Sequence, residues 1–134
     1  MEVSIRYQGN VGFEAVARGH CVLSDQPAAN GGEDAGMTPP ELLLSALGTC
    51  AGYYAAQYLK ARSLSADGLE IQVAADKAVQ PARLDQFRIE VVLPGLDPAH
   101  EAGILRAVQA CLIHHTLLHT PAIETVFRTA VSAG

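Results

Sequence analysis

Hydrophobic and polar positions alternate at the start of the chain and then change period. Val3, Ile5 and Tyr7 share one face of EVSIRY (2–7), and short strand-like runs follow at 11–17 and 20–25, broken by Gly9-Asn10 and Gly19. A period of two over such short runs predicts a small antiparallel meander. PAANGGEDAGM (27–37) has no period and is expected to be a loop, the flexible element of the chain.

A helix start follows. Thr38 can cap, Pro39 suits the first turn, and Glu41 stands three residues after the cap, which makes Thr38-x-x-Glu41 a capping box. From Leu42 to Gln57 nearly every face is apolar, and the helix turns polar only at Lys60 and Arg62, so it is predicted to be central and buried. Ser63 to Gly68 ends it. LEIQVAAD (69–76) and LDQFRIEVVL (84–93) alternate as two neighbouring strands. Asp97-Pro98 opens a second helix in which Ile104, Val108, Cys111 and His115 recur at helical spacing until Pro121 stops it, and AIETVFRTAV (122–131) is predicted to be a strand. The whole order suits a single α+β domain over 1–134, helices lying against antiparallel sheet.

At 134 residues the chain can bury one core. Its composition is 49% hydrophobic and 17% charged, with mean hydropathy +0.18, which leaves few charges for a surface and predicts that apolar area is covered in a subunit interface. The net charge of −5 opposes nucleic acid and anionic membranes, and no basic stripe is present. Ser45, Gly48, Thr49, Gly52 and Gln57 interrupt the apolar run from Leu42 to Leu59, so it is read as a core helix and not a membrane span. MEVSIRYQGN lacks the pattern of a secretory leader, and a cytoplasmic location is expected.

The chemistry-bearing residues are two thiols. Cys50 in LLLSALGTCAGYY and Cys111 in VQACLIHHTLL each lie within an apolar helical pattern. Each can be a packed small hydrophobe. Two on separate helices can also meet as a nucleophile and its resolving partner in reversible thiol oxidation. Cys21, in a short strand, is a packed or incidental thiol. His114, His115 and His119 follow Cys111 at near-helical spacing, where an imidazole can tune a thiol or simply answer the helix dipole. Cys111, His114 and His119, with Cys50, also include ligand types that zinc prefers, although the spacing is weak. Tyr53, Tyr54 and Tyr58 follow Cys50 as core or interface anchors, or as phenols able to orient an oxygen.

TPPELLLSALGTC, preceded by Gly31-Gly32-Glu33-Asp34-Ala35-Gly36 and followed some sixty residues on by CLIHHTLLHTPAIE, resembles the osmotically inducible protein C and organic hydroperoxide resistance family. The resemblance implies an α+β fold of antiparallel sheets packed on two central helices in an intertwined homodimer, with the active site at the interface. It implies Cys50 as peroxidatic thiol and Cys111 as resolving thiol, an organic hydroperoxide substrate, a dithiol or lipoylated-protein reductant, and neither cofactor nor metal. The 31–36 loop is expected to border the pocket.

The family also uses an early-strand arginine held by a glutamate ten residues before the first cysteine. Here Pro40 holds the glutamate position and Glu41 stands next to it, while Asn10 or Val11 falls where the arginine would be. Glu41 is therefore the third candidate catalytic residue, and Arg6 and Arg18 are the arginines on neighbouring runs. Two other classes stay open: a ligand-binding or interaction dimer that has lost catalysis, and a carrier in which Cys50 accepts sulfur or an acyl group.

Overall fold

The computed structural model describes residues 1–129. Strands β1 (Ser4–Tyr7), β2 (Phe13–Ala17) and β3 (His20–Ser24) form an antiparallel sheet in that order. Ile5 pairs with Ala15 and Ala15 with Val22, so the predicted meander is present. Arg18 (φ 51°) and Gly19 (φ 80°) are the two residues between β2 and β3, the positive-φ pair that a tight hairpin needs.

The loop that follows is held from within. Buried Asp25 accepts the backbone N–H of Gln26 at 2.8 Å through one carboxylate oxygen, and those of Glu33 and Ala35 at 3.1 Å through the other. Asn10 donates to the Gly31 carbonyl at 2.7 Å. A Cβ on Gly32 would overlap the Gln26 carbonyl, and one on Gly36 the Leu23 carbonyl, which is why this loop is glycine-rich. The segment expected to be a flexible loop is a loop, folded around one carboxylate.

Helix α1 (Pro39–Ala61) begins with the predicted capping box. The Thr38 N–H donates to Glu41 Oε1 at 2.9 Å, and the Glu41 N–H donates back to Thr38 Oγ1 at 3.4 Å. The helix closes with Ser63 in the left-handed region (φ 57°), while the N–H groups of Leu64 and Ser63 bond to the carbonyls of Leu59 and Lys60. Predicted to be central and buried, the helix buries one stripe within this chain, Leu47, Ala51, Ala55 and Leu59, four residues apart, while Leu43 and Tyr53 are exposed. Gly48 and Gly52 let Val73 and Ile71 approach the opposite side.

Those two residues belong to β4 (Glu70–Ala78), which pairs antiparallel with β5 (Arg83–Val92). The register shifts between Ala74 and Asp76, and Gln86 opposite has φ 52°, so a bulge redirects Gln86 and Phe87. Helix α2 (Glu101–Gln109) lays Ile104 and Val108 on α1. Tyr58 fastens the two helices, its hydroxyl 3.0 Å from His100 Nδ1, with Gly103 leaving room for its ring and Arg62 stacked over it at 3.6 Å.

The structure departs from the sequence pattern in two further places. The second helix does not continue through Cys111. It ends at Gln109, Cys111 is extended (φ −59°, ψ 135°), and a separate helix α3 spans Leu112–Leu118. Buried apolar spacing runs across such a break without registering it, because no glycine or proline marks the site. Residues 122–129, predicted as part of a strand, form none, and Ile123, Val126 and Phe127 are exposed; the remainder of that prediction, 130–131, lies outside the described residues. A strand needs a neighbour for its N–H and C=O groups, and no strand among the described residues pairs with it.

The core is confined to α1, α2 and the hairpin β4–β5, where Ala51, Ala55, Leu59, Ile104 and Val108 cluster. The β1–β3 sheet buries none of its hydrophobic residues. One chain exposes 10289 Å², whereas a compact monomer of 14.1 kDa exposes about 6,700 Å².

Candidate active site

Two elements bring the cysteines together. Cys50 stands on α1, and Cys111 occupies the extended step between α2 and α3, completely buried, while Cys50 stays partly accessible. The break before α3 has a chemical consequence. A continuous helix would spend the N–H groups of Leu112, Ile113 and His114 on the carbonyls of the preceding turn, whereas the first turn of a new helix leaves them free. They converge on the two sulfurs.

Burial pushes the Cys50 thiol up, but donation from the Cys111 thiol and from the N–H groups of Ile113 and Leu112 outweighs it and holds Cys50 below the usual thiol range. Cys111 moves the other way. Burial and the adjoining Cys50 raise it against the lowering effect of the His114 and Ile113 N–H groups. The more accessible thiol is therefore the more acidic of the two, and the enclosed one donates to it.

The other candidates lie elsewhere. Glu41 precedes Cys50 by about two and a half helical turns, which puts it on the opposite face of α1, and its carboxylate bonds to Thr38. Those bonds hold its carboxyl below the ordinary value. It lines a groove with Met37, Ser45, Thr49 and Ile71, away from the sulfurs of its own chain. Arg6, in β1, and Arg18, in the β2–β3 turn, belong to the β1–β3 sheet and not to the elements that carry the two thiols. Cys21 is exposed on β3. Tyr58 is engaged with His100, and Tyr53 and Tyr54 meet edge to face at 5.4 Å between ring centres. Residues 31–36 line neither groove. Among the described residues no three His, Cys, Asp or Glu side chains converge as a metal site, and no helix is long and apolar enough to cross a membrane.

A second groove of about 720 Å³ lies between α1, β5, α2 and α3. Leu43 and Leu47 share the Cys50 face of α1, and Leu47 is one turn from the thiol. Phe87, turned in by the bulge, with Leu105, Leu117 and Leu118, makes the lining apolar. His114 also faces it, and its buried Nδ1 has no hydrogen-bond partner. The N–H groups at the start of α3 and the bulge at Gln86 are the functional elements that sequence reasoning missed, since neither leaves a residue-type signal.

The chain matches the family described as OsmC-like protein over residues 31–126. No curated protein matches it by sequence. Among solved structures it is similar to an osmotic stress induced and detoxification response protein of Psychrobacter arcticus, at 19% identity over 85% of each chain with a TM-score of 0.78. It is also similar to an OsmC like protein of Mycoplasma pneumoniae, at 18% identity over 89% of this chain and 87% of the other, TM-score 0.73. A third is an organic hydroperoxide resistance protein of Legionella pneumophila, at 14% identity over 88% of each chain, TM-score 0.60.

Proposed function

This chain belongs to the OsmC-like protein family, and from that premise and the meeting of Cys50 with Cys111 we propose that it is a thiol-dependent peroxidase for organic hydroperoxides. The observation that carries the proposal is the placement of a partly accessible thiol, Cys50, against a fully buried one, Cys111, with the Cys50 thiol held below the usual range by the donors around it. Cys50 thiolate attacks the terminal peroxide oxygen, the O–O bond breaks, and the alkoxide leaves as alcohol on taking a proton. Cys50 sulfenic acid then condenses with the Cys111 thiol to a disulfide and water. A dithiol or lipoylated protein restores both thiols by exchange.

Backbone amides do the work that an arginine would otherwise do. The N–H groups of Leu112 and Ile113 supply donors to the thiolate from fixed positions, so that no long cationic side chain has to be ordered beside it. Glu41, bound into the cap, is assigned to helix α1 and not to the thiols. The apolar groove one turn from Cys50 supports alkyl or aryl hydroperoxides over hydrogen peroxide.

The assembly we propose is a cytoplasmic homodimer. The surface in excess of a compact monomer, the unburied β1–β3 sheet and the exposed apolar side chains of Ile123, Val126 and Phe127 all support a second copy as the missing cover. The same groove also suits a dimer that binds apolar ligands without catalysis, and one experiment separates the two. Reduced protein treated with one equivalent of cumene hydroperoxide and then alkylated should yield a Cys50–Cys111 crosslink on peptide mapping, and Cys50→Ser should reduce turnover to background. Two thiols that remain alkylatable after treatment would leave the ligand-binding dimer as the better account.

A further inference from the structure

The first oxidation step leaves an alkoxide that must take a proton, and neither cysteine is free to give one. Cys50 is the nucleophile and Cys111 must keep its proton for the condensation. Among the described residues one buried side-chain nitrogen has no partner, His114 Nδ1, and His114 lines the groove whose wall includes Leu47. The same residue directs its backbone N–H at the Cys111 sulfur, which ties the imidazole to the thiol pair through the rigid start of α3. Leu47, on the opposite wall of the groove, stands one turn before Cys50.

The His115 ring lies 6.2 Å from that of His114, and the His119 ring 5.9 Å from that of His115, centre to centre, and both His115 and His119 are exposed. His119 Nδ1 lies 2.9 Å from the His115 carbonyl.

We propose that His114 is a further catalytic residue, the proton donor to the leaving oxygen of the hydroperoxide; this rests on the peroxidase reading. In the step it completes, Cys50 thiolate, hydroperoxide and one proton from His114 Nδ1 yield Cys50 sulfenic acid and alcohol. The sulfur is oxidised and the peroxide reduced by two electrons, and solvent restores the imidazole proton. The role differs from that of the α3 amides, which act on the sulfur before attack.

The test compares two oxidants of similar aromatic body. Cumene hydroperoxide leaves as an alkoxide that needs a proton, and perbenzoic acid leaves as a carboxylate that does not. The readout is the rate at which Cys50 is lost to alkylation in wild type, His114→Ala and the volume-conserving His114→Gln. Both variants should react about 100-fold more slowly with cumene hydroperoxide and at the wild-type rate with perbenzoic acid. Equal slowing with both oxidants overturns the assignment and makes His114 a support for α3, and no slowing with either overturns it outright. Wild-type protein that is inert to both is a separate result, which removes the peroxidase reading itself and the proton donor with it.

Discussion

The α1, α2 and β4–β5 region and the β1–β3 sheet differ in what each buries. The first encloses Leu47, Ala51, Ala55, Leu59, Ile104, Val108 and Cys111, while every residue of β1 is exposed on both faces of its strand. The two are built from similar alternating or apolar sequence. What separates them is a counterpart: α1 has α2 on one side and a hairpin on the other, whereas the meander has hydrogen bonds but no layer to pack on. The two thiols, Cys50 and Cys111, sit in the half that has its own core, where sulfur positions can be held, and the half without one is the part for which the proposed dimer supplies cover.

The largest expected effect breaks that contrast at its weak side. Ile5→Asp places a charge on the outward face of β1 and should convert a dimer to a particle of 14.1 kDa in light scattering, with helical circular dichroism retained because α1 and α2 do not depend on the meander. A wild-type particle already at that mass would remove the dimer. On the other side, Leu59→Ala empties a fully buried position between α1 and α2 and should cost about 3 kcal/mol in urea unfolding. A loss below about 1 kcal/mol would mean that the helical half is not the stable one.

The smallest effect is local and pH-dependent. Hydrogen bonds from the N–H groups of Gln26, Ala35 and Glu33 outweigh burial and hold the Asp25 carboxyl below its ordinary value. A carboxylate with a depressed folded pKa adds stability that is complete above the unfolded value and lost as pH falls through the folded one. Amide exchange at Glu33 and Ala35 should therefore accelerate, relative to its intrinsic rate, only at pH values below the ordinary carboxylate range, and Asp25→Asn should show the accelerated exchange at neutral pH. Exchange that ignores both changes would show that the loop is held by something other than Asp25.

Much of this was legible beforehand. Thr38, Pro39 and Glu41 mark a helix start through local bonds that need no knowledge of the fold, and Arg18-Gly19 or the Ile71–Val73 alternation act over a few residues in the same way. Glu41 is the instructive case. Its capping role follows from spacing alone, and the helical half-turn between it and Cys50 is arithmetic, yet a catalytic role borrowed by resemblance had to wait for the bonds to Thr38.

By itself the sequence determined the elements whose stabilisation is local or periodic: the cap, the apolar run of α1, the hairpins, and two thiols in apolar surroundings. Only the tertiary structure decided which stripe of α1 is buried, that the second helix breaks at Cys111, that the freed amides of Leu112 and Ile113 turn toward Cys50, that Asp25 gathers the glycine loop, and that residues 122–129 pair with no strand among the described residues. Each of these depends on backbone groups meeting partners distant in sequence or missing from the chain, and a backbone N–H carries no residue-type signature by which its partner can be read.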